Sequence, residues 1–277
     1  MRYCEIEPNN AAKHFVRCYW ILEDPEPAWE VQRIVPDGRA ELILNLAQPY
    51  CTFATGVWRR QPDCFLFGQI TGPLLLRPSG PTHILGVRFH PHTAGKLLRL
   101  SMGELTDSML PLDLIPARAA RRIRELEGAR TLDEQAAVLD RMVLELARGA
   151  GDNDRLLDAA VRELGRSISV RAVSYHAGIS TRQLERRFRQ AVGIPPKLFA
   201  RMQRFQRVFQ ALETAGTSWA EAALRCGYHD QAHLIRDFRE FSGKPPAALV
   251  AQGTDLASYF VGLDVSHFSN TRAAGSR

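Results

Sequence analysis

The sequence predicts an α+β fold in two parts: an N-terminal β-rich sandwich or barrel with accompanying helices, then an all-α double helix-turn-helix domain. Three observations predict it. Short apolar runs punctuated by Gly and Pro fill residues 39–90, the pattern of successive strands. From residue 93 onward the apolar residues recur at helical spacing instead. Finally, STRQLERRFRQAVGIPP (180–196) returns fifty positions later as DQAHLIRDFREFSGKPP (230–246), with Leu184/Leu234, Arg186/Arg236, Phe188/Phe238, Arg189/Arg239, Gly193/Gly243 and both prolines at the same offset.

The expected strands are RAELILNL (39–46), which follows the turn signal PDG, then CTFATGVW (51–58), DCFLFGQI (63–70), GPLLLRPSG (72–80) and THILGVRFH (82–90). TAGKLLRLSM (93–102) and PARAARRIRELEG (116–128) read as helices, the second with Pro116 near its start and Gly128 at its end. In TLDEQAAVLDRMVLELARGA (131–150), Thr131 and Glu134 form a capping-box pattern. Leu132, Ala136, Leu139, Val143 and Leu146 make one apolar stripe there. Such a stripe serves either internal packing or pairing with a second copy. The expected division is 1–130 as a sensor and dimerisation domain, 131–151 as a linker helix, 152–252 as the double helix-turn-helix, and 253–277 as a polar tail with an unstructured end.

Each copy of the repeat reads as a short helix, a glycine turn and a longer capped helix. Val170–His176 is followed by Gly178 and by Ser180 with Gln183 in capping-box positions. Ser218–Arg225 is followed by Gly227 and the cap Asp230. Pro195 and Pro196 open a long helix between the units, and Pro245 and Pro246 open a last one. Leu184 and Phe188, like Leu234 and Phe238, lie four apart and should point inward. The opposite faces carry Arg182, Glu185, Arg186 and Arg189 in the first copy, and Gln231, Ala232, Ile235, Arg236 and Arg239 in the second. Arg donates twice to guanine, Glu accepts from cytosine, and Ala and Ile meet thymine methyls. With the cap Ser180, these are the candidate DNA-binding residues, and helices 181–191 and 231–241 are expected to read two successive major grooves.

Charge supports that reading. Residues 1–151 hold 18 Lys+Arg and 18 Asp+Glu, whereas 152–252 hold 16 and 10. The chain's net charge of +6 therefore lies with the repeat, the footprint of a polyanion binder. No apolar run has membrane-spanning length and no leader pattern opens the chain. Five scattered cysteines, Cys4, Cys18, Cys51, Cys64 and Cys226, suit reduced thiols in a cytoplasm. His83, His90, His92 and the first four cysteines raise the thought of a metal, but no Cys-x2-4-Cys or His-Glu-x-x-His spacing exists. The same spacing argues against a zinc-bearing DNA-repair methyltransferase. A non-specific basic scaffold would carry only Lys and Arg on its reading faces, not Glu185, Gln231 and Ile235. No enzyme and no cofactor are expected.

Residues 154–250 resemble the DNA-binding domain of AraC/XylS-type bacterial transcription regulators. GISTRQLERRFRQAVGIPP, RFQRVFQAL and CGYHDQAHLIRDFREFSGKPP carry the resemblance. Departures are Ser174 and Val208, where the family usually has Ala, and Leu249-Val250 in place of Tyr-Arg; the last puts one backbone contact in doubt. VPDGRAELILNL (35–46) and LGVRFHPHTAGKLL (85–98) look like the β-rich sensor domain that precedes this module in some members. The resemblance implies double-stranded DNA as partner, a small-molecule effector, a homodimer and, where such proteins activate, RNA polymerase. It leaves the effector, the promoters and the sign of regulation open.

Overall fold

The computed structural model describes residues 1–111, 122, 125–126, 128–151, 154–212 and 218–246. Its strands are β1 (Arg2–Ile6), β2 (Val16–Asp24), β3 (Gln32–Ile34), β4 (Glu41–Asn45), β5 (Cys51–Ala54), β6 (Val57–Arg60), β7 (Cys64–Phe67), β8 (Leu74–Arg77), β9 (Thr82–Phe89) and β10 (Met109–Pro111). They form two sheets, of order β1-β2-β9-β4-β7-β10 and β3-β8-β5-β6, and the pairings are antiparallel.

Alternation along the central strands builds a layered core. Tyr19 and Ile21 of β2, Leu42 and Leu44 of β4, and Leu85, Val87 and Phe89 of β9 face one cluster. Their neighbours Trp20, Leu22, Ile43 and Ile84 face the other sheet. Gly86 makes room for an indole, because a Cβ there would lie 1.9 Å from Trp20 Cε2. The first cluster is closed by α1 (Ala94–Leu98) and α2 (Leu132–Ala147).

Several expected strands are shorter or divided. CTFATGVW is not one strand but the β5–β6 hairpin, since Thr55 and Gly56 take φ of +50° and +84° and two left-handed residues turn the chain back in a two-residue loop. The helix expected over 93–102 ends at Leu98, where Arg99 turns left-handed. β1, β2, β3 and β10 had no counterpart in the sequence reading. The helices expected over 116–128 and after Pro245 fall largely or wholly outside the described residues, as does the tail.

α2 has its capping box, with Thr131 Oγ1 accepting from Glu134 N at 3.2 Å and Glu134 Oε2 from Thr131 N at 3.1 Å. Of the two roles open for its stripe, internal packing is the one the structure shows. Ala136, Leu139, Val143 and Leu146 are buried in the N-terminal core beside Met142, and Tyr19 donates to Asp140 at 2.8 Å from beneath. The helix is part of the first domain's wall, not a free connector.

The C-terminal helices are α3 (Arg155–Gly165), α4 (Val170–His176), α5 (Thr181–Val192), α6 (Pro196–Leu212), α7 (Trp219–Arg225) and α8 (Gln231–Ser242). They share one core, into which Val35 of the first domain also inserts.

Leu139 is 1% exposed, so Leu139→Glu puts a charge in a sealed core and removes a packed side chain. The expected loss is about 4 kcal/mol or more, read as unfolding of the N-terminal domain in urea. A variant that keeps wild-type stability but sediments at half the mass would return the stripe to a pairing role.

Candidate nucleic-acid interface

Both repeat units are positioned by local rules. In the first, Ser169 Oγ accepts from Ala172 N at 3.2 Å to start α4. Gly178 turns at φ +64°, a conformation cheap only for glycine. Ser180 Oγ then accepts from Gln183 N at 3.2 Å, while Gln183 Oε1 accepts from Ser180 N at 2.9 Å. In the second, Ser218 and Glu221 make the same reciprocal box at the start of α7. Gly227 turns at φ +80°, and Asp230 Oδ1 accepts from His233 N at 2.7 Å. The backbone N–H groups hold the Glu221 and Asp230 carboxyls below their ordinary values. Ser174 is buried but satisfied, donating to Arg171 O at 2.9 Å.

α5 and α8 each bury Leu and Phe, as expected: Leu184, Phe188, Leu234 and Phe238 are fully buried. The other side of α5 exposes Arg182, Glu185, Arg186 and Arg189. With Ser180, these four line one groove, which Lys197 of α6 closes. On α8, Gln231, Ala232, Arg236 and Arg239 are exposed and Ile235 is half-buried. Only Arg236 of these lines the second groove, which runs between α8, α6 and the start of α4. Gln231, Ala232, Ile235 and Arg239 do not line that groove. Lys197 lies in both grooves and joins them.

α6, expected only as a spacer, is also part of this surface. Arg201 reaches Asp237 Oδ1 at 2.7 Å and Glu240 Oε2 at 2.6 Å. Arg204 donates to Asp237 Oδ2 at 3.2 Å and to His233 Nε2 at 3.0 Å. Asp237 is 1% exposed, so two guanidinium groups on α6 clamp one buried carboxylate on α8. At the matching position of the first unit stands Arg187, exposed. The second unit is thus tied to the linker helix by charge. The first is tied by the Phe188–Phe199 ring contact at 5.4 Å and by the short turn at Gly193. The repeat offset pairs Arg187 with Asp237, and that mismatch was the available sequence signal.

Among the described residues no group of three or more His, Cys, Asp and Glu side chains is arranged to hold a metal. Burial pushes the Cys18 and Cys64 thiols up to about 12, as apolar surroundings do to a thiol. His90 Nε2 is bonded to Lys13 O at 2.9 Å and His92 is buried.

Residues 173–252 match a family described as a helix-turn-helix domain, and residues 4–111 match a domain of unknown function, DUF6597. The resemblance of the C-terminal residues to AraC-type modules is borne out. No curated protein sequence matches the chain. Similar solved structures include ToxT from Vibrio cholerae bound to unsaturated fatty acid, at 9% identity and a TM-score of 0.48, covering 92% of this chain and 99% of that one. Another crystal form of ToxT gives 8% and 0.46, covering 83% and 98%. The AraC-like transcriptional activator CuxR gives 14% and 0.28, covering 77% and 87%.

Two outcomes follow from the clamp. Asp237→Ala frees two partly exposed arginines that water can solvate, at a cost of about 1–2 kcal/mol. The Arg201→Ala/Arg204→Ala pair instead strands a buried carboxylate, at about 3–5 kcal/mol. Urea unfolding that ranks them in the opposite order would contradict the clamp. His233 is held below the ordinary histidine range by burial and then by Arg204. Its neutral form therefore contributes stability that is present above about pH 6.5 and lost as pH falls toward its folded value. An NMR titration of His233 with a midpoint at or above 6.5 would contradict this.

Proposed function

We propose, from the premise that residues 173–252 form an AraC-type helix-turn-helix domain, that the protein is a transcription regulator whose two units read separate segments of one DNA duplex. The observation that carries the reading is the pair of capped helices, α5 and α8, seated on one linker helix with mixed polar faces exposed. α6 has 17 residues and is about 26 Å long at 1.5 Å per residue. Successive major-groove faces of B-DNA lie about 34 Å apart. A rigid spacer of this length sets two reading helices at a separation of that order.

The proposed contacts are Arg182, Glu185, Arg186 and Arg189 from α5, with Ser180 at its cap, and Gln231, Ala232, Ile235, Arg236 and Arg239 from α8. Lys197, between the grooves, is added as a phosphate contact. The β-rich domain is the proposed effector-binding part. Pairing of two copies is not needed for a single chain to present two reading helices. A non-specific scaffold fits less well, because Glu185 lies in the first groove among the arginines, where it repels phosphate but can accept from cytosine N4.

Arg186→Ala and Arg236→Ala test the reading by gel shift on a selected site and its single-base variants. Each is expected to lose about 1–3 kcal/mol of affinity and to relax preference at one position, a different one for each variant. Uniform weakening with every base preference kept would mean that both touch only phosphates. No loss from either would overturn the reading.

A further inference from the structure

The small sheet has two edges, and only one of them is covered. At β3, residues 33–38 form a strap on the DNA-binding domain. Arg33 Nη1 donates to Ser242 O at 2.8 Å. The Pro36 and Asp37 carbonyls accept from Gln206 and Gln203 of α6 at 2.5 and 2.8 Å. A Cβ on Gly38 would sit 2.9 Å from the Phe199 ring, so the strap lies directly on that helix. At the other edge, β6 ends the order β3-β8-β5-β6, and its Val57, Arg59 and Arg60 are exposed. An edge strand turns every second backbone N–H and C=O away from its ladder, which makes it a template for one more strand.

The side chains along this edge are apolar in one half and basic in the other. Phe53 and Val57 are large hydrophobic residues left 41% and 48% exposed. Both belong to the β5–β6 hairpin, where Phe53 stands opposite Trp58 and the two rings meet at 5.2 Å. Arg77 of β8 lies over the Trp58 ring at 4.7 Å. Single exposed apolar residues need no explanation, whereas a contiguous group marks a contact surface. Arg59 and Arg60 follow directly. The four strands of this sheet hold Arg33, Arg59, Arg60 and Arg77 and no Asp or Glu, although residues 1–151 are neutral as a whole. Asp63 pairs with Arg60 at 3.3 Å, but both side chains are more than half exposed. Such a pair contributes little and exchanges for another carboxylate.

These features select among occupants. Successive bases need open aromatic planes, but Arg77 covers one side of the Trp58 ring and Phe53 leans against it at 55°. A second copy paired through β6 would gather Arg59 and Arg60 of both copies in one short ladder, where like charges destabilise. An acidic extended peptide satisfies the backbone, the apolar half and the basic half together.

We propose that β6 takes up an acidic, extended segment of a partner protein as a fifth strand of the small sheet. The added strand runs antiparallel, as the sheet's other pairs do. Read from its N-terminus, it places two carboxylates opposite Arg60 and Arg59, then two apolar side chains opposite Trp58 and Val57. Main-chain bonds to β6 supply affinity, and the order acid-acid-apolar-apolar supplies specificity.

The experiment uses the full chain and a labelled peptide, Thr-Glu-Glu-Val-Ile-Thr with blocked ends, read by fluorescence anisotropy. A twin carries Lys-Lys in place of Glu-Glu. Two further forms are N-methylated at alternate amides, one at each set, so that one of them blocks the side that faces β6. The acidic peptide is expected to bind about tenfold or more tightly than its lysine twin and to slow amide exchange over residues 57–60. One N-methylated form should lose binding. Arg59→Glu/Arg60→Glu, at two exposed positions, should reverse the preference in favour of the twin. No binding at millimolar concentration, equal binding of the two peptides, or binding that survives both N-methylations overturns the proposal. A folded charge-reversal variant that keeps the acidic preference does so too. Protection of 57–60 by oligothymidine in preference to the peptide would give the edge to nucleic acid instead. A sedimenting dimer that the charge reversal dissociates would give it to a second copy. Either result also overturns the proposal.

Discussion

The C-terminal half depends on one constraint, the aromatic seam along α6. Phe199 meets Phe188 of the first unit at 5.4 Å, and Phe205 meets Phe238 and Phe241 of the second at 4.8 and 5.3 Å. Phe209 adds a contact to Phe238 at 5.4 Å. These rings are buried, and each pair adds about 0.5–1.5 kcal/mol beyond its area. Because the partners of both α5 and α8 sit on one rigid helix, the distance between those helices is a property of the linker and not of a loop. The caps and glycine turns fix each helix locally, and the seam fixes one against the other.

Charge then differentiates two units that packing makes alike. Arg201 and Arg204 point along the second groove, yet both are engaged by Asp237. Arg207 is also engaged, donating to Gly165 O and to Ser167 Oγ. Three of the four basic residues of α6 therefore organise the protein, leaving Lys197 as its exposed cation. On α5 four arginines, Arg182, Arg186, Arg187 and Arg189, are exposed, against Arg236 and Arg239 on α8. In the proposed reading the first unit is the stronger electrostatic anchor. The second has Gln231, Ala232 and the half-buried Ile235 beside Arg236, and the proposed reading assigns it base edges more than phosphates.

The helical half was legible because its signals are local. Ser180, Ser218 and Asp230 cap the helices where Ser or Asp precedes an apolar-periodic run, and Gly178 and Gly227 take the left-handed turns that their spacing required. The β-rich half was legible only in part. β2, VRCYWILED, is buried on both faces and so has no polar alternation to mark it. The Thr55-Gly56 turn was concealed because a β-branched residue rarely occupies a left-handed position. Asp237 could not be read as a clamp, since Arg201 and Arg204 stand 36 and 33 residues away. The stripe of α2 showed that one face is apolar, but periodicity cannot name what covers it, and the answer is the first domain's own sheet. Likewise nothing local marks residues 33–38 as a strap, because its contacts lie more than 160 residues along the chain.

The proposed function has one chain carry two reading heads held at a set distance. Selection of bound fragments from random duplex DNA by the full-length protein tests it most directly. The expected result is a consensus of two unlike blocks whose centres lie about 10–10.5 base pairs apart, with the block under α5 the less sensitive to base change. A single block, or enrichment without any consensus, would contradict it.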